Sequence, residues 1–298
     1  MRRFITAIIA TIALFTAEAQ NSATTIIGKS FYGWSHTDRL MIGICDLDAH
    51  YDVLDTARVV VTYKVSYRNS PDSHLDVKYK LLCGAHTSLF YSVAQQNENM
   101  ARYKNSWSEE ELADFYAAGV PTIVIPTEIY STKESLRIRH NIPFADNVIY
   151  EYRDTAQPIA WRLTGQTQEI CGYQSISAEA SFGGREWLVW FTTEVAISSG
   201  PWLLGGLPGM ILLAEDSSGD FRFEMEGISQ KPEEIRLYDW PTKQITTKQW
   251  LKYERNAHLN PYDQFSQGGQ IRFFNSSDMS ALKGDWAIEY YPLYKKLF

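Results

Sequence analysis

Three aspartates and a histidine alternate along the segment "CDLDAHYDVLD" at residues 45–55. On a strand, successive side chains point to opposite faces, so Asp46, Asp48, His50 and Asp52 would line one face. Carboxylates and imidazoles bind divalent cations, and this spacing therefore predicts a metal site at these four residues. The alternative is a turn-rich loop in which the same side chains are solvated, as most carboxylates are.

A glycine-rich corner lies between residues 200 and 210, in the stretch "GPWLLGGLPGM". A Pro-Gly step suits the two central positions of a type II turn, and neighbouring glycines permit a bulge or a close contact. Backbone N–H groups in such a corner can also bind an anion, although no P-loop or nucleophile-elbow pattern accompanies it. The sequence predicts a structural turn, with a ligand-binding loop as the alternative, at Gly205, Gly206, Leu207, Pro208 and Gly209.

Other residues are candidates for ligand contacts or for catalysis. Arg185 could hold an anionic ligand and Trp190 and Trp202 could line an apolar one, whereas the alternative for Arg185 is an ion pair or stacking within a sheet. Histidines are scattered along the chain without a motif that anchors a catalytic triad, so no catalytic residue is assigned.

Period-two alternation is the main structural signal. In "RVVVTYKVSYR" at 58–68, one face carries Val59, Val61, Tyr63, Val65 and Tyr67. A turn cluster at 69–73 and a second alternating run at 75–81 predict an antiparallel pair, and strand signals are dense again from 148 to 228. The segment 106–121 predicts a helix, and 246–261 predicts another that ends before Pro261. The expected fold is mainly β, a single curved antiparallel meander with one or two short helices.

The first residues, "MRRFITAIIATIALFTAEAQ", have the basic, apolar and small-residue regions of a signal peptide. We expect a leader at 1–19, a single β-rich domain at 20–298, and no transmembrane span after cleavage. The net charge of −7 argues against nucleic-acid binding, which needs clustered lysines and arginines. Export would allow one disulfide among Cys45, Cys83 and Cys171, and the sequence does not choose the pair.

The stretch "WFTTEVAISSGPWLLGGLPGMILLAE" resembles the GLPGLI family of exported Bacteroidetes proteins, with Met210 in place of the family's leucine. The resemblance extends over about residues 57–228. Further matching positions are Trp161, Gly172, Tyr173, Phe182, Gly184 and Arg185. It implies a mainly antiparallel β fold and an exported protein, and the family's biochemical role is unassigned.

Together these observations predict an exported binding or accessory protein, periplasmic or associated with the outer membrane, with no cofactor. Its expected partner is a small ligand, a lipid, a peptide or an outer-membrane protein. The alternatives are a periplasmic, peptidase-like hydrolase and a protein that handles divalent metals.

Overall fold

Strands form most of the part of the chain that the structure describes. The computed structural model describes residues 50–96, 125–141, 149–260 and 290–293. The strands are β1 Tyr51–Ala57, β2 Val59–Ser70, β3 Ser73–Cys83, β4 Ser88–Ser92, β5 Glu128–Ser131, β6 Ser135–Asn141, β7 Ile149–Thr155, β8 Arg162–Ile170, β9 Tyr173–Phe182, β10 Arg185–Thr192, β11 Met210–Asp216, β12 Phe221–Ser229, β13 Glu233–Tyr238 and β14 Thr242–Gln244. Helix α1 spans Thr247–Leu259. The helix predicted at 106–121 lies outside the described residues.

Twelve of these strands form one sheet, in the order β14-β7-β6-β5-β4-β3-β2-β12-β11-β10-β9-β8. Strands β2 to β7 are one meander and β8 to β12 are another, because each strand pairs with its neighbour in sequence. The two meanders join where β2 pairs with β12, from Phe221 opposite Tyr67 to Ser229 opposite Val60. The remaining strands, β1 and β13, form a separate two-stranded antiparallel sheet.

The expectation of a single antiparallel sheet is therefore wrong, although the mainly β class is confirmed. The large sheet is mixed, because β14 runs parallel to β7, and the β1–β13 pair stands apart from it. Alternation within a strand reveals which residues are buried, but it carries no information about a partner far away in sequence. The parallel pairing and the separate pair both depend on such distant partners.

One continuous core covers one face of the large sheet. The predicted alternation of β2 is confirmed, since Val61, Tyr63, Val65 and Tyr67 are buried in this core. Strands β3, β10 and β12 add buried rows on the same face, and Trp250 of α1 joins this core against His140 of β6 and Tyr150 of β7. The core is thus shared by both meanders, which fits a single folded unit over the described residues.

Helix α1 begins with a capping box, in which Thr246 accepts from the backbone of Gln249 and the Gln249 side chain accepts from the backbone of Thr246. Its buried face consists of Trp250, Glu254, Ala257 and His258. The sequence-based prediction of this helix is confirmed. Among the described residues, no helix is long and apolar enough to cross a membrane.

Candidate binding site

Strands β1 and β13, which we call the ribbon, lie on the other side of the large sheet from the main core. Ala57 and Ile235 of the ribbon share a second apolar cluster with Val60, Leu82, Leu89 and Tyr130. This cluster is small, so the ribbon is attached over a limited area while the rest of it faces outward. An element attached in this way needs polar contacts to fix its position.

Three side chains supply those contacts. The carboxylate of Asp55 accepts from the backbone N–H groups of His86 (2.7 Å) and Thr87 (3.0 Å), which fixes β1 to the turn after β3. From the large sheet, the Tyr130 hydroxyl donates to the carbonyl of Arg236 (2.9 Å), and Arg139 Nη1 donates to that of Tyr238 (3.1 Å). Burial favours the neutral form of Asp55, but the backbone donors outweigh it and lower the pKa of this carboxyl.

A buried ion-pair cluster lies beneath the ribbon. Arg139 Nε donates to Glu151 (2.8 Å), and Arg139 Nη1 donates to Glu128 (3.3 Å). Burial raises the pKa of Glu128, and Arg139 only partly offsets this effect. Burial alone would also raise the pKa of Glu151, but hydrogen bonds from Arg139 and Gln244 lower it. Removal of either partner would leave a buried charge unpaired. Because Arg139 also donates to the carbonyl of Tyr238, the cluster joins β5, β6 and β7 to the ribbon.

A cavity of about 180 Å³ opens between the ribbon and the large sheet, and we call it the seam cavity. Its apolar and aromatic lining comes from Leu82, Leu89, Tyr91 and Tyr238, and its polar lining from Gln96, Glu128, Glu233, Glu234 and Arg236. For comparison, a cavity of about 150 Å³ holds benzene, whereas drug-sized ligands occupy roughly 300–1,000 Å³. The seam cavity is therefore the size of one side chain.

One carboxylate of the cavity has no cationic partner among the described residues. Glu128 pairs with Arg139, and Glu234 pairs with Arg236 at 2.9 Å. Glu233 instead interacts with the hydroxyl of Tyr91. Burial, and next the negative charge of Glu233, raise the pKa of Tyr91, so this hydroxyl stays protonated. Among the described residues, the carboxylate of Glu233 thus adds a negative charge to the cavity without a cation beside it.

The outward side of the ribbon is apolar next to this cavity. On β1, Tyr51, Val53 and Leu54 are 41%, 50% and 41% exposed, and they lie within four consecutive positions that also include the exposed Asp52. Val53 is opposite Arg236, and the Tyr51 ring lies 5.4 Å from that of Tyr238 in an edge-on contact. Isolated exposed apolar residues are common, but a contiguous group beside a cavity is typical of an interaction surface.

The candidate metal residues are only partly placed. Asp46 and Asp48 lie outside the described residues, while His50 directly precedes β1 and Asp52 is exposed on it. Within the described ranges, no three histidine, cysteine or carboxylate side chains converge as metal ligands. The four-residue metal site therefore stays a prediction.

The glycine-rich corner forms part of the loop between β10 and β11. The side chains of Trp202, Leu204 and Leu207 enter the main core, and Trp161 Nε1 donates to the carbonyl of Gly205 at 2.7 Å. Gly206 has a φ of +88°. A Cβ at Gly209 would lie 2.0 Å from the carbonyl oxygen of Thr192, so glycine is required there. These contacts are those of a structural turn, while Pro208 is exposed.

The three candidate ligand contacts are not brought together. Arg185 is buried and pairs with Asp216 and Asp220, and its remaining donors bind the carbonyls of Pro292 and Leu293. Trp202 is buried against Phe182, with 5.5 Å between the ring centroids. Trp190 is half-buried on β10, opposite Ser177 and Leu213. Arg185 thus forms ion pairs within the sheet, which was the alternative to ligand binding in the sequence-based prediction.

Three histidines of the described ranges contact a tyrosine hydroxyl or a backbone carbonyl. His140 Nε2 lies 3.4 Å from the Tyr152 hydroxyl, His258 Nδ1 lies 2.8 Å from the carbonyl of Glu254, and His74 Nε2 lies 2.7 Å from that of Gly219. The hydrolase alternative stays a prediction without an assigned residue. Cys83 and Cys171 are both free, with Cys83 buried and Cys171 exposed.

Sequence reasoning missed the residues that line the seam cavity. Glu128, Tyr91 and Glu233 lie on three strands that are separated in sequence, and no short motif joins them. The segment "EEIRLY" at 233–238 does alternate, with Ile235 and Leu237 on one face. That pattern could have predicted the ribbon strand, but not its partner.

Comparisons with known proteins give no family. No family model matches the chain, and no curated protein matches it. Two crystal structures of PNGF-II are similar with a TM-score of 0.43, at 15% and 14% identity, over 66% of this chain and 32% of theirs. A LolA superfamily protein, NE2245 from Nitrosomonas europaea, has a TM-score of 0.22 and 10% identity over 59% of this chain and 86% of its own. This chain thus matches about a third of the length of PNGF-II, and similarities at these TM-scores carry no argument about fold or function.

Proposed function

We propose that this protein is an exported binding or accessory protein that docks a polypeptide partner on the ribbon. The observation that carries the proposal is the exposed apolar group Tyr51, Val53 and Leu54 beside the seam cavity. Apolar groups that are contiguous and exposed gain free energy when a partner removes them from water.

The size of the cavity favours a polypeptide over the other partners that we considered. A lipid or a typical small ligand needs roughly 300 Å³ or more, and the seam cavity offers about 180 Å³. A single side chain fits this space, and the apolar strand next to it would contact the neighbouring residues of the same partner. An outer-membrane protein or a peptide can supply both.

The ribbon is also suited to receive another strand. β1 pairs with β13 along one edge, and no described strand pairs with its other edge. Extended segments add to open strand edges through main-chain hydrogen bonds, with side-chain pockets providing specificity. The leader-like segment at 1–19 and the GLPGLI resemblance support a place of action in the cell envelope.

The test is native mass spectrometry of the protein purified from its own envelope, with wild type compared with Val53→Lys. A lysine at the centre of the apolar group should raise the dissociation constant for the partner at least about tenfold, a loss of roughly 1.4 kcal/mol of binding free energy, and the partner-bound fraction should fall accordingly. Leu163→Lys is the matched control, because Leu163 is also apolar and 58% exposed but lies on β8, away from the ribbon.

Partner binding that is equal in wild type and Val53→Lys would overturn the proposal. So would a co-purifying lipid or small molecule that is bound without any polypeptide. Since Val53 is half-exposed, its replacement should leave the thermal midpoint of unfolding within a few degrees of wild type, which a melting curve checks.

A further inference from the structure

The chemistry of the seam cavity suggests which side chain it receives. Three carboxylates line the cavity, and in the part of the chain that the structure describes two guanidinium groups, those of Arg139 and Arg236, pair with two of them. Glu233 is the carboxylate left over. Because Glu128 is only 5% exposed, the most buried polar group of the cavity lining is a carboxylate, and it is paired with Arg139.

The remaining lining is also suited to a cation. The rings of Tyr91 and Tyr238 line the cavity, and aromatic faces attract cations. The Tyr91 hydroxyl oxygen and the Gln96 side-chain carbonyl are acceptors in the same cavity. An anionic group would instead meet Glu233 and Glu234 and would be repelled.

We infer that the seam cavity binds a primary ammonium group, the end of a lysine side chain of the docked partner. This inference rests on the proposed function. An ammonium is a compact charge with three donors, which matches one carboxylate, Glu233, that has no described cationic partner and lies beside separate neutral acceptors. A guanidinium is planar and favours two parallel hydrogen bonds to one carboxylate. The carboxylates of Glu128 and Glu234 are already paired with guanidinium groups, those of Arg139 and Arg236. The four methylenes of a lysine would contact Leu82 and Leu89.

The experiment uses n-butylamine as the probe and n-butanol as its neutral control, each titrated into the full chain and followed by NMR. We expect n-butylamine to bind with a dissociation constant on the order of millimolar, and n-butanol to bind at least about tenfold more weakly. Glu233→Gln should weaken n-butylamine binding at least about tenfold. Glu226→Gln, at an exposed position of β12, should leave it unchanged.

Three results would overturn the inference. They are equal binding of the amine and the alcohol, unchanged amine binding by Glu233→Gln, and no amine binding up to tens of millimolar. The comparison of the two probes uses wild type alone, so it remains decisive even if Glu233→Gln fails to fold. Suppose that Val53→Lys releases the partner but the cavity does not bind n-butylamine. The proposed function would then stand, and only this inference would be rejected.

Discussion

At the scale of single residues, two buried side chains make stability depend on pH. They are Glu254 of α1 and His140, which packs against this helix. Glu254 is 2% exposed and its Oε1 has no hydrogen-bond partner among the described residues, and burial raises the pKa of this carboxyl well above its usual value. His140 is stacked on Trp250, with 3.7 Å between the ring centroids, and burial lowers the pKa of this imidazole well below 6.5. Burial thus favours the neutral form of both groups in the folded protein.

The two groups act in opposite directions. The folded state favours the protonated form of Glu254. The contribution of Glu254 to the free energy of unfolding is therefore fully present below about pH 4.5, and it is lost as the pH rises through the pKa of this carboxyl in the folded protein. His140 has the opposite effect on the free energy of unfolding. As the pH falls below about 6.5, the protein loses stability, because the unfolded state then binds a proton at His140 that the folded state does not bind.

Replacement of Glu254 by methionine tests the first of these effects. Glu254→Met removes a buried carboxyl of similar length, and it should raise the free energy of unfolding at pH 7 by roughly 1–2 kcal/mol. Below pH 4.5 the gain should shrink, because the wild-type carboxyl is then protonated in both states. Urea unfolding of wild type and Glu254→Met at several pH values measures the difference between their free energies of unfolding. The contribution of His140 is the same in both proteins and cancels in this difference. A gain that is constant from pH 4 to 7 would contradict the assignment.

At the scale of elements, the loop between β10 and β11 is the best test of the fold. Its apolar side chains fill the core at the end of the sheet, and this requires the chain at Gly209 to pass directly over the carbonyl of Thr192. The loop is thus a structural part of the sheet's end rather than a surface connection.

Gly209→Ala should lower the free energy of unfolding by roughly 1–3 kcal/mol, because the new Cβ would lie 2.0 Å from backbone that cannot move freely. Gly205→Ala is the matched control, since its Cβ would be 3.6 Å from the nearest heavy atom, and we expect a change within about 0.5 kcal/mol. Equal effects of the two substitutions on urea unfolding would mean that the loop is not packed as described.

These elements also show what the sequence can predict. The alternation of β2 and the helix α1 follow from local patterns, and both were predicted because burial on one face leaves a period in the sequence. Local patterns do not determine which strands pair across long distances, so the ribbon, the β2–β12 junction and the parallel β14 were not predicted. The seam cavity depends on those pairings, and Glu128 and Glu233 therefore could not have been recognised as neighbours.

At the scale of the whole molecule, two meanders joined at β2 and β12 provide a rigid base, and the ribbon is an attachment on its outer side. Arg185 strengthens the base by binding the carbonyls of Pro292 and Leu293 to the ends of β10 and β11. Sites placed on a rigid base keep their geometry when a partner binds. In the proposed function, the base supports the ribbon and the ribbon contacts the partner.

The most direct test of this division is photo-crosslinking in the cell envelope, with a benzophenone amino acid in place of Val53 or, in a second protein, in place of Leu163. We predict a crosslinked polypeptide from position 53 on the ribbon, at a yield at least about tenfold above that from position 163 on β8, the factor that corresponds to roughly 1.4 kcal/mol of preferential binding. Equal yields from the two positions, or an adduct at position 53 that contains no polypeptide, would contradict the account.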